Sequence, residues 1–322
     1  MLRTLLNRHP ALAICGETRF CGDVYRRRWA FGNLNNVKNR RRLIEQYLST
    51  QRIAQLGFDV ASLRERLLPV ATSYRELFSG MLRCYAEGQG KERWGEKTPH
   101  HAFFTETLCE WFPGASIVHL VRDPRDVVAS LLRMPWAPDS ILNNAWMWLL
   151  FNRAARRSRH RSAYLLVHYE TLMAQPEQEL ARICAHLGED YAPCMLVAEE
   201  PADGPYSWPR HARGPITRER LAKWREQLTA EEISLIEWAV GRDMPTYGYH
   251  RSAASPSIRA IARGLGWAAF DPVRMQVARF PYLCYYLIRP TNLAAQEYWK
   301  YRRVWETTAT FSGLPSWNRP RK

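Results

Sequence analysis

The first candidate for chemistry in this 322-residue chain is an arginine at the predicted end of a β-strand. Arg122 follows the β-rich stretch 116–121, and a helix is predicted to begin near Asp126. This order puts a guanidinium and helix N-terminal N–H groups at the carboxyl edge of a parallel sheet, where open α/β folds bind anionic ligands. Ser130, about one turn into the helix, could add a hydroxyl to the same phosphate. The alternative is a structural ion pair between Arg122 and Asp123 that caps the helix.

Two further stretches supply a cation and a carboxylate. Lys97 immediately precedes a helix start predicted at Thr98–Pro99, where its ammonium and the helix dipole would act on one negative group. Glu17 follows a short strand, and a carboxylate at a strand end is a candidate general base. His100 could also accept a proton. The alternatives are a solvated lysine, a packing histidine and an ion pair between Glu17 and Arg19.

Helical and strand-like segments alternate through most of the chain, which favours an α/β fold with a parallel sheet flanked by helices. The predicted strands are 11–15, 116–121 and 164–168, and the predicted helices include 2–7, 40–56, 62–87, 100–111, 126–133, 176–187 and 218–240. We interpret the Pro- and charge-rich stretch 193–216 as a loop over the site. Composition changes near residue 250, so we predict one domain over 1–250 and a mainly helical extension over 251–322.

Composition and charge exclude several classes of protein. An apolar fraction of 46% is too high for a disordered chain, and no apolar run reaches the roughly 18–20 residues of a membrane-spanning helix. Seven cysteines without metal-ligand spacing, and no evident secretory signal, predict a cytoplasmic protein with no bound metal. The net charge of +15 is concentrated in residues 1–56, with +8, and residues 251–322, with +9. This asymmetry predicts anionic partners near the two ends.

Five motifs, in order, carry a resemblance to a known family. They are Gly-Glu-Thr-Arg at 16–19, Gly-Glu-Lys-Thr-Pro at 95–99, Arg-Asp-Pro-Arg-Asp-Val-Val-Ala-Ser at 122–130, His-Tyr-Glu-Thr-Leu at 168–172 and Lys-Trp-Arg at 223–225. Across residues 2–250 the chain resembles the sulfotransferases that use 3′-phosphoadenosine 5′-phosphosulfate (PAPS), and among them the bacterial and tyrosylprotein-type enzymes. The resemblance implies a P-loop-like α/β fold and metal-free transfer of a sulfuryl group from PAPS to a hydroxyl acceptor, which can be a glycan, a lipid, a tyrosyl peptide or a small molecule.

The resemblance also implies roles for individual residues. Arg122 and Ser130 correspond to the residues that bind the 3′-phosphate of the nucleotide, and Lys97 to the lysine near the sulfuryl group. Glu17 corresponds to the general base of the tyrosylprotein-type enzymes. Ser207 corresponds to a serine that contacts the sulfuryl group in some members.

His100 is a second candidate for the general base. In the cytosolic branch of the family the base is a histidine two residues after the lysine, and Pro99 occupies that position here. A role for His100 therefore requires a shifted register, and we rank Glu17 above it.

One element of the family has no counterpart in this sequence. The loop that binds the 5′-phosphosulfate, together with the strand before it, should directly precede the helix predicted at 2–7. Its absence would remove preorganised N–H donors and leave the neighbouring strands unpaired. Three explanations are open: a start internal to a longer gene, an inactive remnant, or partial substitution by Arg3, Thr4 and the terminal amine.

Other functions remain open at this point. A phosphoryl-transferring P-loop kinase requires Gly-x-x-x-x-Gly-Lys-Ser/Thr, which does not occur. The net charge suggests a nucleic-acid-binding protein, but the middle of the chain is nearly neutral and carries no recognised binding module, so we expect no nucleic-acid partner. A non-catalytic remnant is the third alternative. The arginine- and aromatic-rich extension 251–322 can either pack on the main domain or lie peripherally on an anionic membrane.

Overall fold

The computed structural model describes residues 1–134, 137–160, 163–197 and 216–271. Its strands are β1 (Leu12–Cys15), β2 (Arg93–Glu96), β3 (Ser116–Val121) and β4 (Ala163–His168). Its helices are α1 (Leu2–Asn7), α2 (Phe20–Asp23), α3 (Arg28–Phe31), α4 (Val37–Leu48), α5 (Gln51–Gln55), α6 (Val60–Val70), α7 (Tyr74–Glu87), α8 (Thr105–Trp111), α9 (Pro124–Leu131), α10 (Ile141–Arg156), α11 (Tyr169–Ala174), α12 (Pro176–Leu187), α13 (Trp224–Gln227), α14 (Ala230–Val240) and α15 (258–271). A 3₁₀ helix, Pro99–Phe104, precedes α8.

All four strands pair in parallel, which confirms the α/β class. Strand β1 pairs with β2, and β3 pairs with β4. Within the described ranges the two pairs are separate two-stranded sheets, and not one continuous sheet.

The register of the first pair aligns the carboxyl ends of its strands. Cys15 lies opposite Glu96, the last residue of β2. The ladder continues one step further, where the Lys97 amide donates to the Cys15 carbonyl at 3.0 Å. The segments that follow the two strands, 16–19 and 97–98, therefore leave the sheet side by side.

Strand β2 is the element that sequence reasoning missed. It has only four residues, Arg-Trp-Gly-Glu, none of them fully buried, and it lacks the alternation of apolar and polar residues that identifies a half-buried strand. Gly95 suits the close packing here, because a Cβ at this position would lie 2.7 Å from the side chain of Ile14 in β1.

Several predicted helices are interrupted where a capping side chain starts a new one. The helix predicted at 62–87 is broken before α7, which begins with a capping box between Ser73 and Glu76. The helix predicted at 218–240 is broken before α14, which begins with the same motif between Thr229 and Glu232. The helices predicted at 2–7 and 176–187 are confirmed as α1 and α12.

Three apolar clusters hold these elements together. The first lies under β1 and β2 and includes stacked Phe20 and Phe78, whose ring centroids are 4.9 Å apart. The second joins α1, β1, β3, β4 and α12, so it packs the two sheets against one set of helices. The third lies between α9, α10, α14 and α15.

The described part of the predicted extension, residues 251–271, is joined to this third cluster. Ser252 donates its backbone N–H to Glu237 of α14, and Asn143 of α10 donates to the Ala268 carbonyl of α15 at 3.1 Å. The boundary near residue 250 stays a prediction, and residues 272–322 lie outside the described part. Of the helices within the described ranges, none is long and apolar enough to cross a membrane.

Candidate functional site

Glu17 and Lys97 meet where β1 and β2 end. Lys97 Nζ lies 2.5 Å from Glu17 Oε1, and both side chains remain accessible to solvent. The contact follows from the parallel register, because Lys97 directly follows β2 and Glu17 stands two residues beyond the end of β1. The structure therefore brings together two of the predicted site residues, whereas Arg19, the alternative partner of Glu17, contacts Asp23 at 3.6 Å.

The charges around Glu17 lower its pKa. Partial burial acts in the opposite direction and would raise the pKa of this carboxyl. The ammonium of Lys97, through its charge and its hydrogen bond, and then the guanidinium groups of Arg52 and Arg19, outweigh burial. Glu17 is therefore a carboxylate at neutral pH, and Lys97 is the largest reason for its lowered pKa.

Glu96 connects the two segments that carry this pair. Its Oε1 accepts from the Thr18 amide at 3.0 Å and from the Thr18 hydroxyl at 2.8 Å. The Thr98 hydroxyl donates to the same oxygen. Thr98 was predicted to cap a helix over 100–111, and that prediction is wrong: its side chain binds Glu96, and a 3₁₀ helix follows.

The two adjacent histidines point to different surroundings. His101 is buried, and its Nδ1 lies 2.9 Å from Glu96 Oε2. His100 is exposed, and its ring lies edge-on to Phe151 of α10, with centroids 5.1 Å apart. The assignment of His100 as the general base stays a prediction.

Arg122 lies at the carboxyl end of the second sheet, as predicted. Its guanidinium packs over the ring of Tyr169, 4.5 Å from the centroid, and lies 3.4 Å from Asp126. Its backbone carbonyl accepts from the indole N–H of Trp148 at 2.9 Å. The side chain is 22% exposed, so a ring and a carboxylate hold a guanidinium that still reaches solvent.

Asp123 and Arg125 serve the structure. Asp123 caps α9 by accepting from the Arg125 amide at 2.9 Å, and the Arg125 guanidinium binds both oxygens of the same carboxylate. Arg125 also donates to Glu237 at 2.7 Å. The ion pair considered for Asp123 therefore exists, but its partner is Arg125 and not Arg122.

Asp126 links Arg122 to a distant segment. Its carboxylate accepts from the backbone amides of Ala222 at 3.1 Å and Trp224 at 2.9 Å. Ala222 has a φ of 55°, which a non-glycine residue adopts only when its surroundings hold it there. Burial raises the pKa of Asp126, although Arg122 opposes this rise.

The remaining predicted residues are placed as follows. Ser130 is half-buried on α9, one turn beyond Asp126 and thus on the same helix face. Ser207 lies outside the described residues. The Arg3 guanidinium, considered as a substitute for the missing loop, donates to the Ile14 carbonyl of β1 at 3.4 Å.

Sequence reasoning missed Glu96, Asp126 and Tyr169. Asp126 and Tyr169 had a usable signal, because each stands within a few residues of the carboxyl end of a strand in the same sheet. Glu96 had none, because it belongs to a strand that was not predicted. His101 was considered only as a proton acceptor, and its contact with Glu96 was not predicted. Across the described ranges, no group of three or more His, Cys, Asp or Glu is arranged to hold a metal ion.

Comparison with known proteins identifies a family. A model described as "Sulfotransferase family" matches residues 1–193, which is more than half of the chain. All the predicted site residues except Ser207 lie within the matched part.

Curated relatives are distant. The omega-hydroxy-beta-dihydromenaquinone-9 sulfotransferase Stf3 of Mycobacterium bovis is 25% identical over 182 residues, which are 50% of this chain and 42% of that protein. A Caenorhabditis elegans protein named as a candidate protein-tyrosine sulfotransferase is 22% identical over 275 residues, 81% of this chain and 95% of that one. The chain thus spans less than half the length of the mycobacterial relative.

Solved structures give a weaker likeness. A sulfotransferase domain from a Synechococcus olefin synthase aligns with a TM-score of 0.47 and 23% identity over 74% of this chain and 88% of that domain.

Proposed function

The chain belongs to the sulfotransferase family, and on that premise we propose that it transfers a sulfuryl group from PAPS to the hydroxyl of an acceptor. The observation that carries the proposal is the contact between the Glu17 carboxylate and the Lys97 ammonium at the paired ends of β1 and β2. A base beside a cation is what this reaction needs, since one group removes a proton and the other stabilises negative charge.

Glu17 is the proposed general base. It is ionised at neutral pH, and it accepts the proton of the acceptor hydroxyl on a carboxylate oxygen. The donor supplies the sulfuryl group: the acceptor oxygen bonds to sulfur while the bond from sulfur to the 5′-phosphate oxygen breaks, and adenosine 3′,5′-bisphosphate leaves.

Lys97 has two states in this mechanism. In the free protein its ammonium is bound to Glu17. When it turns instead to the negative oxygens of the transferring group, Glu17 loses its strongest acidifying neighbour, and its pKa rises towards the range of an effective base. The ion pair therefore keeps the base weak until a second anion engages the lysine.

Arg122 and Ser130 are the proposed ligands of the 3′-phosphate. The held and partly exposed guanidinium of Arg122 is suited to a phosphate, which it can bind with two parallel hydrogen bonds. Ser130 follows on the face of α9 that carries Asp126. Ser207 is proposed as a contact of the sulfuryl group, and only through the family resemblance.

The acceptor carries a hydroxyl group. The names of two relatives include a dihydromenaquinone and protein tyrosine. We therefore propose testing both a lipid alcohol and a tyrosyl peptide. Contact with an anionic membrane through α15 is also part of this proposal, because that helix exposes apolar and basic side chains.

The test is release of adenosine 3′,5′-bisphosphate from PAPS in the presence of acceptor. Glu17→Gln should lower kcat by about 10²–10⁴-fold, the range for loss of a general base, with little change in the KM for PAPS. Arg122→Ala should mainly raise that KM. His100→Asn should leave both constants nearly unchanged.

The matched control is Glu92→Gln, the same change at an exposed glutamate just before β2. Full activity of Glu17→Gln, or equal losses in Glu17→Gln and Glu92→Gln, contradicts the assignment of the base. If the wild-type protein releases no bisphosphate with any acceptor of the panel, the proposed function itself is rejected.

A further inference from the structure

Glu96 is a buried carboxylate that the mechanism above does not use. Its side chain is 7% exposed, yet it precedes the accessible Lys97 in sequence. A buried carboxylate is costly unless its oxygens are satisfied. Here both oxygens are: Oε1 binds the two threonines and Oε2 binds His101.

We propose that Glu96, oriented by His101, is the positioning residue that holds Glu17 and Lys97 within reach of each other. The effect on catalysis rests on the proposed function. The geometry rests only on the contacts of Glu96.

The first half of the connection runs from Glu96 to Glu17. Thr18, the residue after Glu17, gives Glu96 both its amide and its hydroxyl proton. The Thr18 carbonyl in turn accepts from the hydroxyl of Tyr47 at 3.0 Å. Three hydrogen bonds therefore fix Thr18, the residue next to Glu17, and the Glu96 carboxylate accepts two of them.

The second half runs from Glu96 to Lys97. Thr98, the residue after Lys97, donates its hydroxyl to Glu96 and accepts from the Arg19 amide at 3.1 Å. Lys97 thus lies between Glu96, which supplies the accepting oxygen, and Thr98, whose hydroxyl donates to that oxygen. The segments 17–19 and 96–98 cannot separate without breaking hydrogen bonds that are largely buried.

His101 sets the direction of the Glu96 carboxylate. Its Nδ1 binds Oε2 at 2.9 Å, and the backbone N–H of Cys21 lies 3.3 Å from its Nε2. Burial lowers the pKa of His101, but the Glu96 carboxylate outweighs burial and raises it to about 10. A proton on Nε2 would face the Cys21 N–H, so protonation of His101 strengthens its contact with Glu96 and weakens its contact with Cys21. The contact with Glu96 is the shorter and the stronger of the two.

A glutamine at position 96 conserves volume and still breaks this arrangement. If its oxygen faces Thr18 and Thr98, its NH₂ group faces His101 Nδ1. His101 can accept there only by placing its proton on Nε2, against the Cys21 N–H. In the other orientation its NH₂ group faces the Thr18 N–H. Glu96→Gln therefore either sets two donors against each other at Thr18, or keeps the Nε2 proton against the Cys21 N–H without the carboxylate charge that offsets this contact in the wild type.

The kinetic test compares Glu96→Gln with wild type. We expect kcat to fall by about 10–100-fold, since a misplacement of about 1 Å costs rates of that order, with the KM for PAPS within about twofold. The control is Glu179→Gln, a buried glutamate of α12 that binds Arg182 and lies outside the site. Equal kcat values for the two variants overturn the proposal.

A second readout does not need activity. Acetylation of lysines by a limiting amount of reagent, followed by mass spectrometry, measures the access of Lys97 relative to exposed Lys38 of α4. The ion pair should protect Lys97 in the wild type, and Glu96→Gln should raise its relative labelling several-fold. Unchanged labelling overturns the positioning role even if the proposed reaction is never observed.

A milder pair of variants covers the case in which Glu96→Gln does not fold. Thr98→Val removes the hydroxyl that reaches Glu96, whereas Thr98→Ser keeps it. We expect Thr98→Val to lower kcat and expose Lys97 to labelling, and Thr98→Ser to restore both. If valine and serine behave alike in both measurements, the connection through Thr98 does not position Lys97.

Discussion

At the scale of single residues, the site depends on how one carboxylate is charged. Partial burial raises the pKa of Glu17, and the nearby cations lower it by more. The balance is adjustable, because the largest lowering influence comes from Lys97, whose flexible side chain can move. A movement of Lys97 can therefore change the pKa of Glu17 without any change of fold.

Removal of Lys97 should raise the pKa of Glu17. The wild-type carboxyl should titrate below its ordinary value of 4.5, because the ion pair favours the charged form. In Lys97→Ala burial remains while the strongest cation is lost, so the titration should move upwards. The measurement is ¹³C NMR of the glutamate side chains, with Glu17 assigned from the Glu17→Gln spectrum.

Lys38→Ala is the control for that titration, because it removes an exposed lysine of α4. A Glu17 resonance that titrates at the same pH in Lys97→Ala and in wild type would show that the ion pair has no influence on the base.

At the scale of elements, helix α15 packs through a face of small residues. Its buried face carries small residues, Ala260, Gly264 and Ala268, which allow close approach to α10. A Cβ at Gly264 would lie 3.2 Å from the Leu142 side chain. The opposite face carries the exposed apolar residues Ile258, Leu265 and Phe270 with Arg259 and Arg263, and Arg263 contacts Glu231 of α14.

This exposed face should bind anionic membranes. Ile258 is 86% exposed, and burial of such a side chain in a lipid interface is worth about 1.5–3 kcal/mol. Arginines near an anionic surface add about 1 kcal/mol each. The double variant Ile258→Asp and Leu265→Asp should therefore reduce sedimentation with phosphatidylserine vesicles by more than tenfold, with little binding to phosphatidylcholine for any protein.

Val70→Asp is the matched control for the vesicle assay, since Val70 is 60% exposed at the end of α6. Equal binding of the double variant and this control would show that α15 only packs on its own protein. Loss of binding in both would point to a diffuse effect of charge.

At the scale of the whole molecule, the pKa values of two buried histidines shift in opposite directions. His101 lies in the 3₁₀ helix that follows β2, and Glu96 raises its pKa to about 10. His119 belongs to β3, where it contacts Tyr164 and its Nε2 donates to Asn152 Oδ1 at 2.8 Å. Burial, assisted by the charge of Arg156, lowers the pKa of His119 to about 4.

The free energy of unfolding should therefore be largest near neutral pH. His119 gains a proton more easily when unfolded, so its contribution is lost as the pH falls from about 6.5 towards 4. His101 keeps its proton more firmly when folded, so its contribution is lost as the pH rises from about 6.5 towards 10. Thermal unfolding between pH 4 and 10 measures both the acid limb and the alkaline limb of this dependence of stability on pH.

The variant His119→Gln should flatten the acid limb and leave the alkaline limb in place, because it removes only one of the two titrating groups. An acid limb as steep as that of wild type would mean that carboxyl groups, and not His119, control stability at low pH.

The sequence by itself determined the class of fold and the positions of the candidate site residues along the chain. Charged residues just after strands are recognisable because parallel strands end at one edge, and this reasoning singled out Glu17 and Arg122. Lys97 was singled out by the helix start predicted after it. It also predicted α1 and α12 from their periodicity and caps. These features depend on neighbours a few residues apart.

Only the tertiary structure decided which groups hold those residues in place. Thr18 and Glu96 are 78 positions apart in sequence, and Asp126 and Trp224 are 98 apart. Nothing local distinguishes Glu96 from a solvated glutamate, and nothing near Asp126 in the sequence predicts its contact with Trp224. Their partners come from other elements, and a hydrogen bond between elements exists only after apolar packing has brought their backbones together.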